Sequence, residues 1–160
     1  MKIHSVFIDA QNLYHSAKHL YNARVNFKEV LKSAVNGRNL VRAIIYVIKT
    51  ESKEEEGFFE ALKHAGFEIR SKDIQIFPDG SKKADWDVGI AVDAVSAADK
   101  LDVAVLVTGD GDFVSLLNYL RYRGVRAEVA AFGRSTAAKL KQKAHEFYDL
   151  EENVQKYLIK

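Results

Sequence analysis

The chain has 160 residues, 48% hydrophobic and 29% charged, with 24 Lys and Arg against 22 Asp and Glu. That profile excludes a disordered chain and a membrane partner, since no apolar run approaches the ~20 residues that a bilayer helix needs. The absence of cysteine excludes disulfides, thiolate zinc sites and cysteine nucleophiles. Met1-Lys2-Ile3-His4 opens on no secretory segment, so one cytoplasmic domain over 1–160 is expected.

Short β-branched runs alternate with helical patterns along the chain. Ile3 to Ile8 reads as a first strand, followed by helices over Leu13 to Tyr21 and Phe27 to Val35. Val41 to Ile48 is a second strand, and Glu51 to Ala65 a helix closed by Gly66. Glu68 to Phe77 alternates as a third strand before the Pro78-Asp79-Gly80 turn. Trp86 to Ala98 is apolar nearly all round and is expected to be buried. Val103 to Val107 has the look of a central parallel strand. A helix over Phe113 to Tyr122, a strand over Val125 to Phe132, and helices over Ser135 to Lys143 and Glu151 to Leu158 complete the chain. Such alternation predicts an α/β fold of three layers, helices covering both faces of a mostly parallel sheet.

Ligands of such sheets bind beyond the carboxyl ends of the strands. The first strand ends in Ile8-Asp9-Ala10-Gln11-Asn12, and the fourth in Thr108-Gly109-Asp110-Gly111-Asp112. If the two are neighbours, Asp9 and Asp110 share an edge. The Trp86–Ala98 helix feeds the fourth strand, so its N-terminus should return Asp85 and Asp87 to that edge. Asp residues also cap helices, and Asp85, Asp110 and Asp112 each suit that simpler role. Together, clustered carboxylates repel one another unless a cation sits between them, and hard divalent ions take oxygen ligands. Asp93 lies about 9 Å further along the helix and roughly 120° around it, so it should point away and need a hydrogen-bond partner.

With these residues the chain resembles the NYN domain family, the LabA-like branch of the PIN-like nuclease fold, over about residues 2–150. The carrying motifs are Phe7-Ile8-Asp9-Ala10-Gln11-Asn12-Leu13, the run from Lys83 to Ala94, and Thr108-Gly109-Asp110-Gly111-Asp112-Phe113. The resemblance implies a ribonuclease site holding Mg2+ or Mn2+ on aspartates. Asp9, Asp87 and Asp110 match the family's core acids, and Asp112 is a further acid, giving four candidate catalytic and metal-binding residues. Asn12, Asp85, Asp93 and Thr108 are supporting candidates; Asp93 itself matches an acid of the family motif. PIN domains place another acid after the first strand, for which Glu29 and Glu51 are alternatives.

The implied partner is RNA, with a homodimer as an open assembly. Residues 121–143 carry seven basic residues against Glu128. Within them Arg121, Arg123, Arg134, Ser135 and Lys139 are candidate RNA contacts, the Gly133-Arg134-Ser135-Thr136 stretch resembling a phosphate-binding helix start. A plain capped helix with solvated lysines fits the same residues. Tyr14, Tyr119 and Tyr122 could stack on bases. His15 and His19 share a helix face, but no third ligand is evident. A haloacid-dehalogenase-type phosphatase shares the Gly109-Asp110-Gly111-Asp112 pattern, yet needs an acid where Gln11 stands. A non-catalytic RNA-binding or regulatory module is the remaining alternative.

Overall fold

The computed structural model describes residues 3–50, 54–80, 82–83 and 85–159. The chain begins with β1 (His4–Asp9), α1 (Ala10–Tyr21), β2 (Arg24–Val25), α2 (Phe27–Val35), β3 (Leu40–Lys49), α3 (Glu54–His64) and β4 (Glu68–Asp73). It continues through β5 (Gln75–Ile76), β6 (Lys82–Lys83), α4 (Asp87–Ala97), β7 (Val103–Val107), α5 (Val114–Tyr122) and β8 (Arg126–Ala131). It ends with α6 (Ala138–Lys143), β9 (Glu146–Asp149), α7 (Val154–Tyr157) and β10 (Leu158–Ile159).

Six strands form one sheet in the order β4-β3-β1-β7-β8-β9, and every adjacent pair is parallel. β1 is central: Ile8 pairs with Ile45 on one side and Val107 on the other. Its side chains alternate between two cores. Val6 and Ile8 pack with Leu13, Ala17, Val30 and Leu31 on the face covered by α1 and α2. Phe7 packs with Ile90, Leu117, Leu120 and Leu140 on the face of α4, α5 and α6. Burial on both faces is why β7 and the Val6-Phe7-Ile8 stretch of β1 read as unbroken apolar runs. From β1 the chain builds outward to β3 and β4, then crosses back to β7, β8 and β9. The order therefore reverses between β1 and β7, where an open α/β sheet leaves its binding crevice.

Several boundaries differ from the sequence expectations. α1 starts at Ala10, because the Asp9 side chain accepts from Asn12 N and caps it. The expected start of α3 at Glu51 lies outside the described residues. β4 ends at Asp73, and the residues expected to prolong it form β5 instead. β9, which went unread, is a short strand with a charged first residue and little alternation. The C-terminal helix shrinks to a 3-10 turn over Leu150–Asn153 and one turn of α7, after which β10 pairs antiparallel with β2.

α4 corrects the expectation of burial. Only Ile90 and Ala94 of its residues are buried, with Ala91 packed partly against the core, while Val88 is 76% exposed and Val92 56%. A helix laid on a sheet presents one stripe to it, so apolar composition on the other side does not bury that side.

Candidate metal centre

Asp9 and Thr108 stand at the adjoining carboxyl ends of β1 and β7. Thr108 Oγ1 donates to Asp9 Oδ2 at 3.1 Å and accepts from Asp110 N at 3.2 Å. Asn12 crosses the same seam, its Oδ1 accepting from Gly109 N at 2.8 Å. Asp110 Oδ1 in turn accepts from Asp112 N at 2.9 Å and caps the 3-10 turn Gly111–Phe113 that leads into α5. These bonds tie the strand ends together and hold the carboxylates at one edge. A glycine is required at 109: a Cβ there would lie 2.6 Å from Ser135 O.

α4 brings the remaining acids. Trp86 Nε1 donates to Val47 O at 2.9 Å, its ring packs on Tyr46, and Asp85 Oδ1 accepts from Asp87 N at 3.1 Å. The start of α4 is thus fastened to the end of β3. Sequence reading missed this anchor, although the lone tryptophan beside the acids was its visible signal. Carboxylate oxygens of Asp87, Asp110 and Asp112 all lie within 4.8 Å of one another. Asp9 is outside that trio, buried beside it. Among the described residues no ion pair reaches Asp9, Asp85, Asp87, Asp110 or Asp112.

The electrostatics follow from that crowding. Burial raises the Asp9 carboxyl above its ordinary value; Asn12 N and Thr108 Oγ1 oppose the rise, and Asp110 and Asp85 add to it. Asp87 is pushed up to about 7, first by burial, then by the charges of Asp110, Asp85 and Asp9 and a hydrogen bond with Asp110. Three uncompensated carboxylates at this spacing fit a hard divalent cation with oxygen ligands.

A pH prediction follows for the protein in chelator. Between about 3.8 and about 7 the folded chain holds a proton on Asp87 that the unfolded chain has lost. Stability therefore falls as pH rises through that window. The melting temperature of Asp87→Asn should exceed that of the parent by a margin that widens from pH 5 to pH 8. A constant margin would mean that Asp87 is not crowded.

The other candidates are distributed unevenly. Asp93 faces away from the trio: its Oδ2 accepts from Tyr46 Oη at 2.7 Å and pairs with Arg70 Nε at 2.9 Å. Glu29 sits in the first turn of α2, behind the Asn26 cap, and outside the trio. Glu51 lies outside the described residues. Arg134 is engaged within the fold, its Nε donating to Glu151 Oε2 at 2.8 Å and its Nη2 to Tyr21 Oη at 3.2 Å. Ser135 ends a 3-10 turn over Gly133–Ser135 rather than opening a helix. α6 starts three residues later, since Ala137 N turns back to Gly109 O at 3.0 Å. Lys139 is exposed on α6.

Arg121 and Arg123 lie at the far end of α5, on the opposite edge of the sheet from the acids. Arg121 Nη1 donates to Lys143 O at 2.7 Å, and Arg123 pairs with Asp99 and bonds Tyr119 Oη. Among the described residues no group suited to a metal includes His15 or His19.

Comparison with known proteins agrees with this architecture. The family model described as the NYN domain matches residues 4–151. The chain is 27% identical over 154 residues to the low amplitude and bright protein LabA of Synechococcus elongatus, covering 91% of this chain and 82% of that one. A crystal structure of a protein of unknown function from Vibrio parahaemolyticus superposes with a TM-score of 0.89 at 29% identity, covering 99% of this chain and 96% of that one. Among the described residues no helix is long and apolar enough to cross a membrane.

Proposed function

Since the chain belongs to the NYN domain family, we propose that it is a metal-dependent ribonuclease, an endonuclease that hydrolyses RNA phosphodiester bonds at the carboxyl edge of its sheet. The observation that supports this most is the Asp87, Asp110 and Asp112 trio at the crevice between β1 and β7, with Asp9 buried beside it. Asp87, Asp110 and Asp112 would hold Mg2+ or Mn2+. When bound, such an ion supplies charge neutralisation at the scissile phosphate and lowers the pKa of the attacking water.

The chain's own residues have separable tasks. Asp9 adds negative charge beneath the ion site, and Thr108 and Asn12 hold it and the Gly109–Asp110 backbone in register. Asp85 orients the first turn of α4 through Asp87 N. Asp93 steadies α4 from its outer turn by taking Tyr46 and Arg70. Neutralising the acids also matters for binding, because an uncompensated carboxylate cluster repels an RNA phosphate.

The test is a mixed panel of single-stranded, hairpin and circular RNAs. With Mg2+ or Mn2+ the protein should open the circular RNA, and chelator should abolish the cut. Binding without any cut under every metal would point to the non-catalytic module. Phosphate release from small phosphomonoesters alone would point to the phosphatase chemistry.

RNA affinity should depend on Lys139 more cleanly than on Arg134, whose removal also strips Glu151 of one of its partners. Lys139→Ala should raise KM and reduce the salt slope of binding by roughly 0.7, as one phosphate contact on a single strand is lost. The rate at saturating RNA should move much less. An unchanged KM and slope would mean that Lys139 only solvates α6.

A further inference from the structure

A second concavity adjoins the acidic crevice on the α1 side. Its volume is about 420 Å3, in the range of small-ligand pockets. Among the described residues it is walled by Gln11 and Tyr14 of α1, Phe58 and Glu55 of α3, and Thr50 after β3. Ala10, which follows Asp9 directly, is part of the same wall with Val47 and Ile48, so the cavity lies at the carboxyl ends of β1 and β3, next along the chain from Asp9.

We infer that this cavity is a recognition subsite for a nucleobase of the RNA strand, specifically an amino-bearing base such as adenine. The inference rests on the reading of the chain as an RNA-acting protein and adds a base preference to it.

Three observations carry it. First, the mouth bears aromatic rings with exposed faces: Tyr14 is 46% exposed and Phe58 40%. Exposed rings beside a phosphate site are the platform on which unstacked bases rest. Secondly, Gln11 Oε1 is sealed from solvent and receives no hydrogen bond among the described residues, while Gln11 Nε2 lies 3.2 Å from His15 Nε2. A buried acceptor left unmade is costly, and the terminal torsion of a glutamine turns easily. Turned toward the cavity, the amide offers an acceptor and a donor side by side, the pair that reads an adenine edge. Thirdly, the Glu55 carboxylate on the opposite wall is fixed by Thr50 N at 2.8 Å and Thr50 Oγ1 at 3.0 Å. That wall is an acceptor, so it favours an exocyclic amino group over the carbonyl that uracil presents there.

The test is fluorescence anisotropy with labelled RNA decamers of adenylate or uridylate in chelator, where nothing is cut. Both decamers carry the same charge, so repulsion by the acids cancels in their ratio. The parent should bind the adenylate decamer about tenfold tighter, within the range of one base contact. Gln11→Leu and Tyr14→Ala should each bring the ratio below about twofold. Tyr14→Ala removes an exposed ring, so it remains folded and decisive even if Gln11→Leu melts. Equal binding by the parent, or a preference that Tyr14→Ala retains, overturns the subsite. So does adenosine monophosphate competing as tightly as the decamer, since the cavity would then serve a free nucleotide. The two readings fail separately. Metal-dependent cleavage with no base preference removes the subsite alone. A Tyr14-dependent preference with no cleavage under any metal removes the nuclease alone.

Discussion

Asp110→Asn is expected to abolish metal-dependent RNA cleavage and to leave the fold intact. Asp110 belongs to the trio, its charge raises both Asp9 and Asp87, and its Oδ1 caps the turn before α5. Asparagine keeps the size and the capping oxygen, so the turn survives. What is lost is one ligand charge for the cation. The rate should fall on the order of a thousandfold, since an ion's transition-state stabilisation is worth several kcal/mol. Mn2+ affinity should weaken in parallel. In chelator the melting temperature should hold or rise, because one source of repulsion is gone. A well-folded Asp110→Asn protein with the parent's activity would remove the metal-site assignment.

Asp87→Asn should cost far more activity at saturating metal than Asp93→Asn. Both residues lie on α4, but six positions separate them by about 9 Å along the axis and turn them to different sides. Asp87 reaches Asp110 and Asp112, whereas Asp93 reaches Tyr46 and Arg70. Asparagine at 93 still accepts from the Tyr46 hydroxyl and loses only the pairing with Arg70, which is 46% exposed. Exposed pairs are worth about 1 kcal/mol or less, so Asp93→Asn should lower the melting temperature slightly and activity by only a few fold. Equal losses in two folded variants would mean that Asp93 acts on the reaction, not on the seating of α4.

Much of the fold was legible because its signals are local. Residues 6–8, 43–48 and 103–107 are apolar on consecutive positions, the mark of strands buried on both faces, and they lie in β1, β3 and β7. The same locality explains the failures. β9 and β10 are short, and their pairing partners, β8 and β2, supply what their own residues do not signal. α4 reads as buried from its composition, but its burial depends on which side meets the sheet.

The sequence by itself determined which residue types stand at the strand and helix ends: Asp9 at the end of β1, Asp110 and Asp112 after β7, Asp85 and Asp87 at the start of α4. It determined too that helices alternate with strands, because periodicity and side-chain chemistry are properties of neighbouring residues. Only the tertiary structure decided that β1 and β7 adjoin, and hence that these acids meet. Only it separated the trio from Asp9, which caps α1 and is buried a step away. It also engaged Arg121, Arg123 and Arg134, exposed as they are, with Lys143, Asp99 and Glu151. Strand pairing and ion pairing join residues a hundred and more positions apart, and the chain's local pattern holds no record of that distance.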